Sequence, residues 1–147
     1  MSLAQWQANG WLQPHRTSRQ EVDDLFRIVD RDLRDAQGGI SADWRFGIAY
    51  NAALKLCTVL LYAEGCRVAQ SLQHYRTIQA LPLIIGAARR NDAVYLDACR
   101  AKRNRLEYDS VGGVSEADAD ELIAFGQGLR SDVLAWLQAK HPALAPT

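Results

Sequence analysis

Apolar residues along this chain recur at three- and four-residue steps, the spacing that gathers them on one face of an α-helix. The first such run is Val22, Leu25, Phe26, Val29 and Leu33, with Asp23, Asp24, Arg27, Asp30, Arg31 and Arg34 on the other face, and Gly38-Gly39 stops it. Ahead of it, Ser18-Arg19-Gln20-Glu21 has the spacing of a capping box, in which hydroxyl and carboxylate satisfy each other's orphan backbone N–H groups. A second helix is predicted from Ala42, capped by Ser41, to Tyr62 or Glu64, ending at Gly65. Inside it the polar residues Asn51, Lys55 and Thr58 fall at i, i+4 and i+7, one narrow stripe. Ile48, Leu54, Leu56, Val59, Leu60 and Leu61 cover the rest. A helix with so thin a wet face has to be wrapped by the others. Burying each such side chain yields at most about 1.5 to 3 kcal/mol, which makes this helix the main source of core stability.

The third helix is expected over Gln73 to Ala88, bent or restarted at Pro82, with Ile78, Leu81, Leu83, Ile84 and Ile85 as its apolar residues. A fourth, capped by Asn91, runs to Tyr108. After a loop at Val111-Gly112-Gly113-Val114, Ser115-Glu116-Ala117-Asp118 loosely matches a capping box with Asp in place of Glu. It opens a fifth helix through Leu122, Ile123, Phe125, Leu129, Val133, Leu134, Trp136 and Leu137, ending before His141-Pro142. Trp6, Trp11 and Leu12 around Gly10 read as an irregular arm docked by its aromatics. The expected architecture is all-α: an antiparallel bundle of about five helices over residues 18–140, an N-terminal arm at 1–17 and a tail at 141–147. At 147 residues one domain buries roughly two-thirds of its unfolded surface and needs no staple.

Seventeen basic and seventeen acidic residues cancel, which removes the global field of a non-specific nucleic-acid or membrane binder. Binding to polyanions then has to come from a local patch. Cys57, Cys66 and Cys99 are odd in number and show no CxxC spacing, so reduced, cytoplasmic thiols are expected rather than disulfides or zinc ligands. Gln5, Gln7, Asn9 and Gln13 interrupt the region where a signal peptide needs an apolar run. The most apolar window, Ile48 to Ala63, is shorter than the ~20 residues of a membrane crossing and is assigned to the core. The sequence holds no Glu-x-x-His, Gly-x-Ser-x-Gly or Walker loop, and no metal or cofactor is expected.

Arg100, Lys102, Arg103 and Arg105 lie within two helical turns, following Arg89-Arg90, and Glu107, Asp109, Glu116, Asp118, Asp120 and Glu121 come after them. Such runs are usually solvated faces whose charges neutralise one another. Arg103 is seated differently. Leu96, Cys99, Arg103 and Leu106 follow a 3-4-3 spacing, so the arginine occupies a seat on the apolar stripe. An unpaired buried charge costs about 3 to 5 kcal/mol, against about 0.3 to 0.5 kcal/mol for an exposed helical ion pair. This guanidinium therefore requires a carboxylate, for which Glu107 four residues on is the plain candidate, or a subunit boundary, or a bound anion. Asn104 lies about 100° round the helix from it and Tyr108 about 40° from Asn104, completing one polar face.

Arg103-Asn104-Arg105-Leu106-Glu107-Tyr108 resembles the Arg-x4-6-His motif of HEPN domains, often written Arg-Asn with a downstream His. The likeness covers most of residues 18 to 138. Ser-Ala-Asp-Trp-Arg-Phe-x-Ile-Ala-Tyr-Asn-Ala-Ala at 41–53, with Tyr95-Leu96-Asp97 and Arg103-Asn104, is similar to a bacterial subgroup of HEPN proteins. The resemblance implies a homodimer whose paired helices form a cleft that binds or cuts RNA. It implies that Arg103 holds a phosphate, with Asn104 beside it, while a histidine moves protons as the ribose 2′-hydroxyl attacks. Tyr108 stands where that histidine is expected, and a phenol with a pKa near ~10 is a poor proton acceptor at pH 7. It retains the ability to donate a hydrogen bond or stack on a base.

Arg100, Lys102, Glu107 and His74 complete the candidate ligand-binding set. His74 either replaces the missing histidine in space or caps its helix in solvent. His15 and His141 sit in terminal segments with no spacing to carboxylates. The expected function is a dimeric binder of RNA or nucleotide, a toxin-like ribonuclease with a small nucleotidyltransferase as antitoxin partner. The alternative is a non-catalytic module in which Arg103 only ties a dimer or another partner together.

Overall fold

The computed structural model describes residues 1–108 and 113–146, without the side chains of Leu106, Glu107 and Tyr108. Six α-helices run through the described residues: α1 (Leu3–Ala8), α2 (Arg19–Asp35), α3 (Ala42–Ala63), α4 (Gln73–Ile84), α5 (Arg90–Tyr108) and α6 (Glu116–Lys140). A 3-10 turn, Ala87–Arg89, precedes α5, and two short strands, β1 (Leu12–Pro14) and β2 (Cys66–Val68), pair antiparallel with Leu12 opposite Val68. The helical class and the long helices follow the apolar periodicity. α3 is the axis: α2 and α6 form its most extensive contacts, and α4, α5 and β2 pack on it as well. Phe46, Tyr50, Leu56, Leu60 and Leu61 are all within 2 % of full burial. Its 22 residues are enough in length and composition to cross a bilayer, yet most of that surface is covered by the other helices.

Polar groups fix how the helices meet. Asn51, on the wet stripe of α3, donates to the Asp32 carboxylate of α2 at 2.8 Å, and Arg31 satisfies the other Asp32 oxygen. Thr58 bonds back to the Leu54 carbonyl. Arg45, in the first turn of α3, donates to the Ala36 carbonyl that ends α2 and to Glu116 and Asp120 at the start of α6. One guanidinium thus gathers three helix ends. Arg130 joins α6 to Asp30 of α2, and Arg89 joins the start of α5 to Asp132 of α6.

Several details depart from the sequence expectations. The arm is ordered rather than irregular: Ser2 and Gln5 form a full capping box for α1, and Trp6 and Leu12 are buried in a small second core with Leu61, Cys66 and Ala80. Ser18 caps α2, but Glu21 does not return the bond, because its carboxylate accepts from His15 at 2.7 Å. His15 also stacks on Tyr62, and His141 lies 3.8 Å from Glu64, so both terminal histidines do meet carboxylates. α4 runs through Pro82 and stops before Gly86, whose φ of +142° favours glycine. α5 starts directly from the 3-10 turn, which puts Asn91 in its first turn rather than at its cap. Ser115 and Asp118 form the box expected of them in both directions.

α6 approaches α2 closely at Gly126, where a Cβ would come within 3.0 Å of Leu33 Cδ2. Gly126→Val is expected to destabilise the fold by about 1 to 3 kcal/mol through overpacking. Gly128, two residues on and facing open space, should by contrast gain about 0.5 to 1 kcal/mol as Gly128→Ala. Urea unfolding of the two variants checks this, and equal effects would contradict the described α2–α6 packing.

Candidate functional site

The inner face of α5 begins as ordinary core, with Ala93, Leu96 and Cys99 buried. The next seat on that stripe belongs to Arg103, which is half-buried and lays its guanidinium over the Tyr50 ring of α3, 5.4 Å from the centroid. Tyr50 is 1 % exposed. From α4, His74 brings its ring to 6.2 Å from the Tyr50 ring, so the imidazole and the Arg103 guanidinium lie within about 12 Å of each other. Its neighbour Tyr75 lies under the Arg100 guanidinium at 5.9 Å. Arg100 also donates to Asp97 on its own helix at 2.8 Å. Arg103 and His74 have contacts beyond these. Three helices thus converge on one groove floored by Tyr50.

Two features of this groove are unusual for a purely structural seam. α4 begins at Leu72, whose φ of +53° is left-handed, and no side chain caps the helix. That conformation costs a residue bearing a Cβ about 1 to 2 kcal/mol. The Tyr50 hydroxyl, in turn, is buried with no hydrogen-bond partner among the described residues. Burial pushes its ionisation well above the ordinary tyrosine value, and the charges of Arg103 and Arg100 pull it partly back. The hydroxyl stays protonated, so it is a donor without an acceptor among the described residues.

The candidate residues separate into groups. Arg100, Arg103 and His74 come together around Tyr50 and Tyr75, and Asn104, half-buried, follows Arg100 by one turn. Lys102 projects elsewhere: it bonds Asp118 of α6 at 2.9 Å and approaches the Phe46 ring. The side chains of Glu107 and Tyr108 lie outside the described residues. Arg89, Arg100 and Lys102 each have a carboxylate partner, the mutual neutralisation that a mixed charge run favours. Tyr50 and Tyr75 were not singled out by spacing. The available signal was a tyrosine in an otherwise aliphatic helix, which has to bury a hydroxyl along with its ring.

A second concavity of about 150 Å³ lies between α3, α5 and α6, lined by Phe46, Tyr95, Cys99, Lys102, Asp118 and Glu121. Its groups are chemically quiet. Burial pushes the Cys99 thiol up to about 11 and raises Tyr95 further above its usual range. Cys57 and Cys66 are likewise buried and protonated, pushed up to about 12 and about 11. No set of three His, Cys, Asp or Glu side chains among the described residues is arranged to hold a metal ion. No protein-family model, curated protein or solved structure matches the chain.

Two outcomes follow from this geometry. Tyr50→Phe removes only the orphaned hydroxyl and should raise stability by about 1 kcal/mol, seen as a higher melting temperature. Loss of stability would mean that the hydroxyl has a partner. The Lys102 bond, followed by the Ser115 backbone N–H, holds the Asp118 carboxyl below its usual value. A depressed carboxylate stabilises the fold above its unfolded value, near pH ~4, and the contribution fades as pH falls through the lower folded value. Lys102→Met should therefore unfold more easily than wild type at pH 7, with the gap closing as acid titration proceeds below pH ~4.

Proposed function

We propose that this chain works as a homodimeric, HEPN-type helical protein that binds RNA or a nucleotide through the Arg103 groove. The observation that carries the reading is the half-buried Arg103 guanidinium on the Tyr50 ring, with Arg100 and His74 gathered beside it from α5 and α4. A cation set at a seam, partly shielded from water, interacts with a phosphate more strongly than one in bulk solvent. Exposed aromatic surface at Tyr75, next to the groove, suits base stacking. Cleavage in the manner of toxin-like HEPN ribonucleases requires a proton acceptor, and His74 is the imidazole available in this groove to serve in place of Tyr108. A small nucleotidyltransferase antitoxin is the partner that this role would take.

The second reading is a non-catalytic interaction module. It is favoured by the intramolecular partners of Arg89, Arg100 and Lys102, which leave less positive charge for a polyanion. Arg103→Ala separates the two. On the first reading the variant remains a folded dimer, loses at least about tenfold in affinity for single-stranded RNA, and its log K against log salt slope falls by ~0.7. On the second it dissociates or loses stability, with no change in RNA retention. Wild-type protein that neither retards nor degrades RNA at low salt would end the first reading.

A further inference from the structure

The concavity between α3, α5 and α6 shares no lining residue with the contacts around Tyr50, and it has a volume of about 150 Å³. An apolar cavity of roughly that size admits a benzene-sized molecule. The inner surface suits one. Phe46 and Cys99 are 2 % and 5 % exposed, and Tyr95, half-buried, packs its ring on Phe125 with centroids 4.9 Å apart. The thiol and the phenol both stay protonated at neutral pH and bring no charge.

The exposed part of the lining is charged, and pairing decides its sign. Of the carboxylates in the first two turns of α6, Arg45 takes Glu116 and Asp120, and Lys102 takes Asp118. Glu121, exposed at the pocket, has no ion-pair partner among the described residues. Its negative charge adds to the rise that burial imposes on both Tyr95 and Cys99, so its field reaches the interior. Lys102 sets one positive charge against one negative charge each from Asp118 and Glu121, which leaves the pocket net negative. An anion would meet two carboxylates and an ammonium already bonded to one of them. A neutral molecule would gain only the apolar contact. A cation gains both, because a carboxylate beside a low-dielectric wall attracts it more strongly than one in bulk water, and aromatic walls favour it further.

We infer that this pocket binds a small organic monocation, its ammonium or amidinium group at Glu121 and its flat apolar body between Phe46 and Tyr95. The site is independent of the Arg103 groove and of the RNA reading.

Three probes carry one ring with a positive, a neutral and a negative group: benzylamine, which is protonated at pH 7, benzyl alcohol and benzoate. Each is titrated into the isotope-labelled full chain while its chemical shifts are followed. Benzylamine is expected to bind in the low-millimolar range or tighter, at least about tenfold more tightly than the other two, with shifts centred on Phe46, Tyr95 and Cys99. Glu121→Gln should shrink its advantage over benzyl alcohol to less than about twofold while benzyl alcohol binds as before. Glu121 is exposed, so that variant keeps the fold, which an unchanged melting temperature checks. No saturable shift with benzylamine at about 10 mM overturns the inference. Benzoate or benzyl alcohol binding as tightly as benzylamine overturns it too, as does an advantage that persists in Glu121→Gln or shifts centred on another surface.

Discussion

The removal of α3 from water organises this molecule. From Phe46 to Ala63 its side chains are buried on every side except the stripe of Ile48, Asn51, Lys55, Thr58 and Tyr62. Each large residue contributes at most about 1.5 to 3 kcal/mol, and no single neighbouring helix covers more than part of that surface. α2, α4, α5 and α6 are therefore all obliged to pack on it, and β2 closes its C-terminal end. Where the groove lies is a consequence. Tyr50 is held in the core because its helix is, and α5 meets α3 there with Arg103 on the tyrosine ring.

Charge then decides orientation within that arrangement. Arg45 ties the ends of α2, α3 and α6, Arg130 pairs α6 with α2, and Arg89 pairs α5 with α6. Each cation is at least partly shielded, so its partner restricts how the helices rotate about one another. The same pairing thins the basic character of α5, since Lys102 is turned to α6 and Arg100 is shared with Asp97. What remains around Tyr50 is the Arg103 guanidinium on its ring and a phenol hydroxyl that has lost water without gaining an acceptor among the described residues. That tension, a donor kept buried beside guanidiniums, is what distinguishes the α3–α4–α5 groove from the quiet cleft on the opposite side of α5.

Capping residues illustrate how far local spacing reaches. Ser115 and Asp118 close a full box because no other group competes strongly enough to open it, even though Lys102 shares the Asp118 carboxylate. Glu21 has the same offset from Ser18 but gives its carboxylate to His15, a partner fixed by the arm's pairing with β2. Ser2 and Gln5 have the spacing of a box as well, but the six residues of α1 are too few to show a helical period. β1 and β2, of three residues each, lie below the length at which alternation is visible, and their pairing joins positions more than fifty residues apart.

By itself, the chain's periodicity determined the long helices, the dominance of α3 and the exceptional seat of Arg103, because a 3.6-residue period dictates which side chains share a face. It also marked Arg100 and His74 as candidates without relating them. Tertiary structure alone decided that Arg103 meets Tyr50, that His74 reaches the same ring and that Lys102 turns away. Those outcomes depend on the rotation and offset of helices contributed by distant segments, which are set by packing around α3 and by ion pairs across helix ends. No spacing within one segment encodes them.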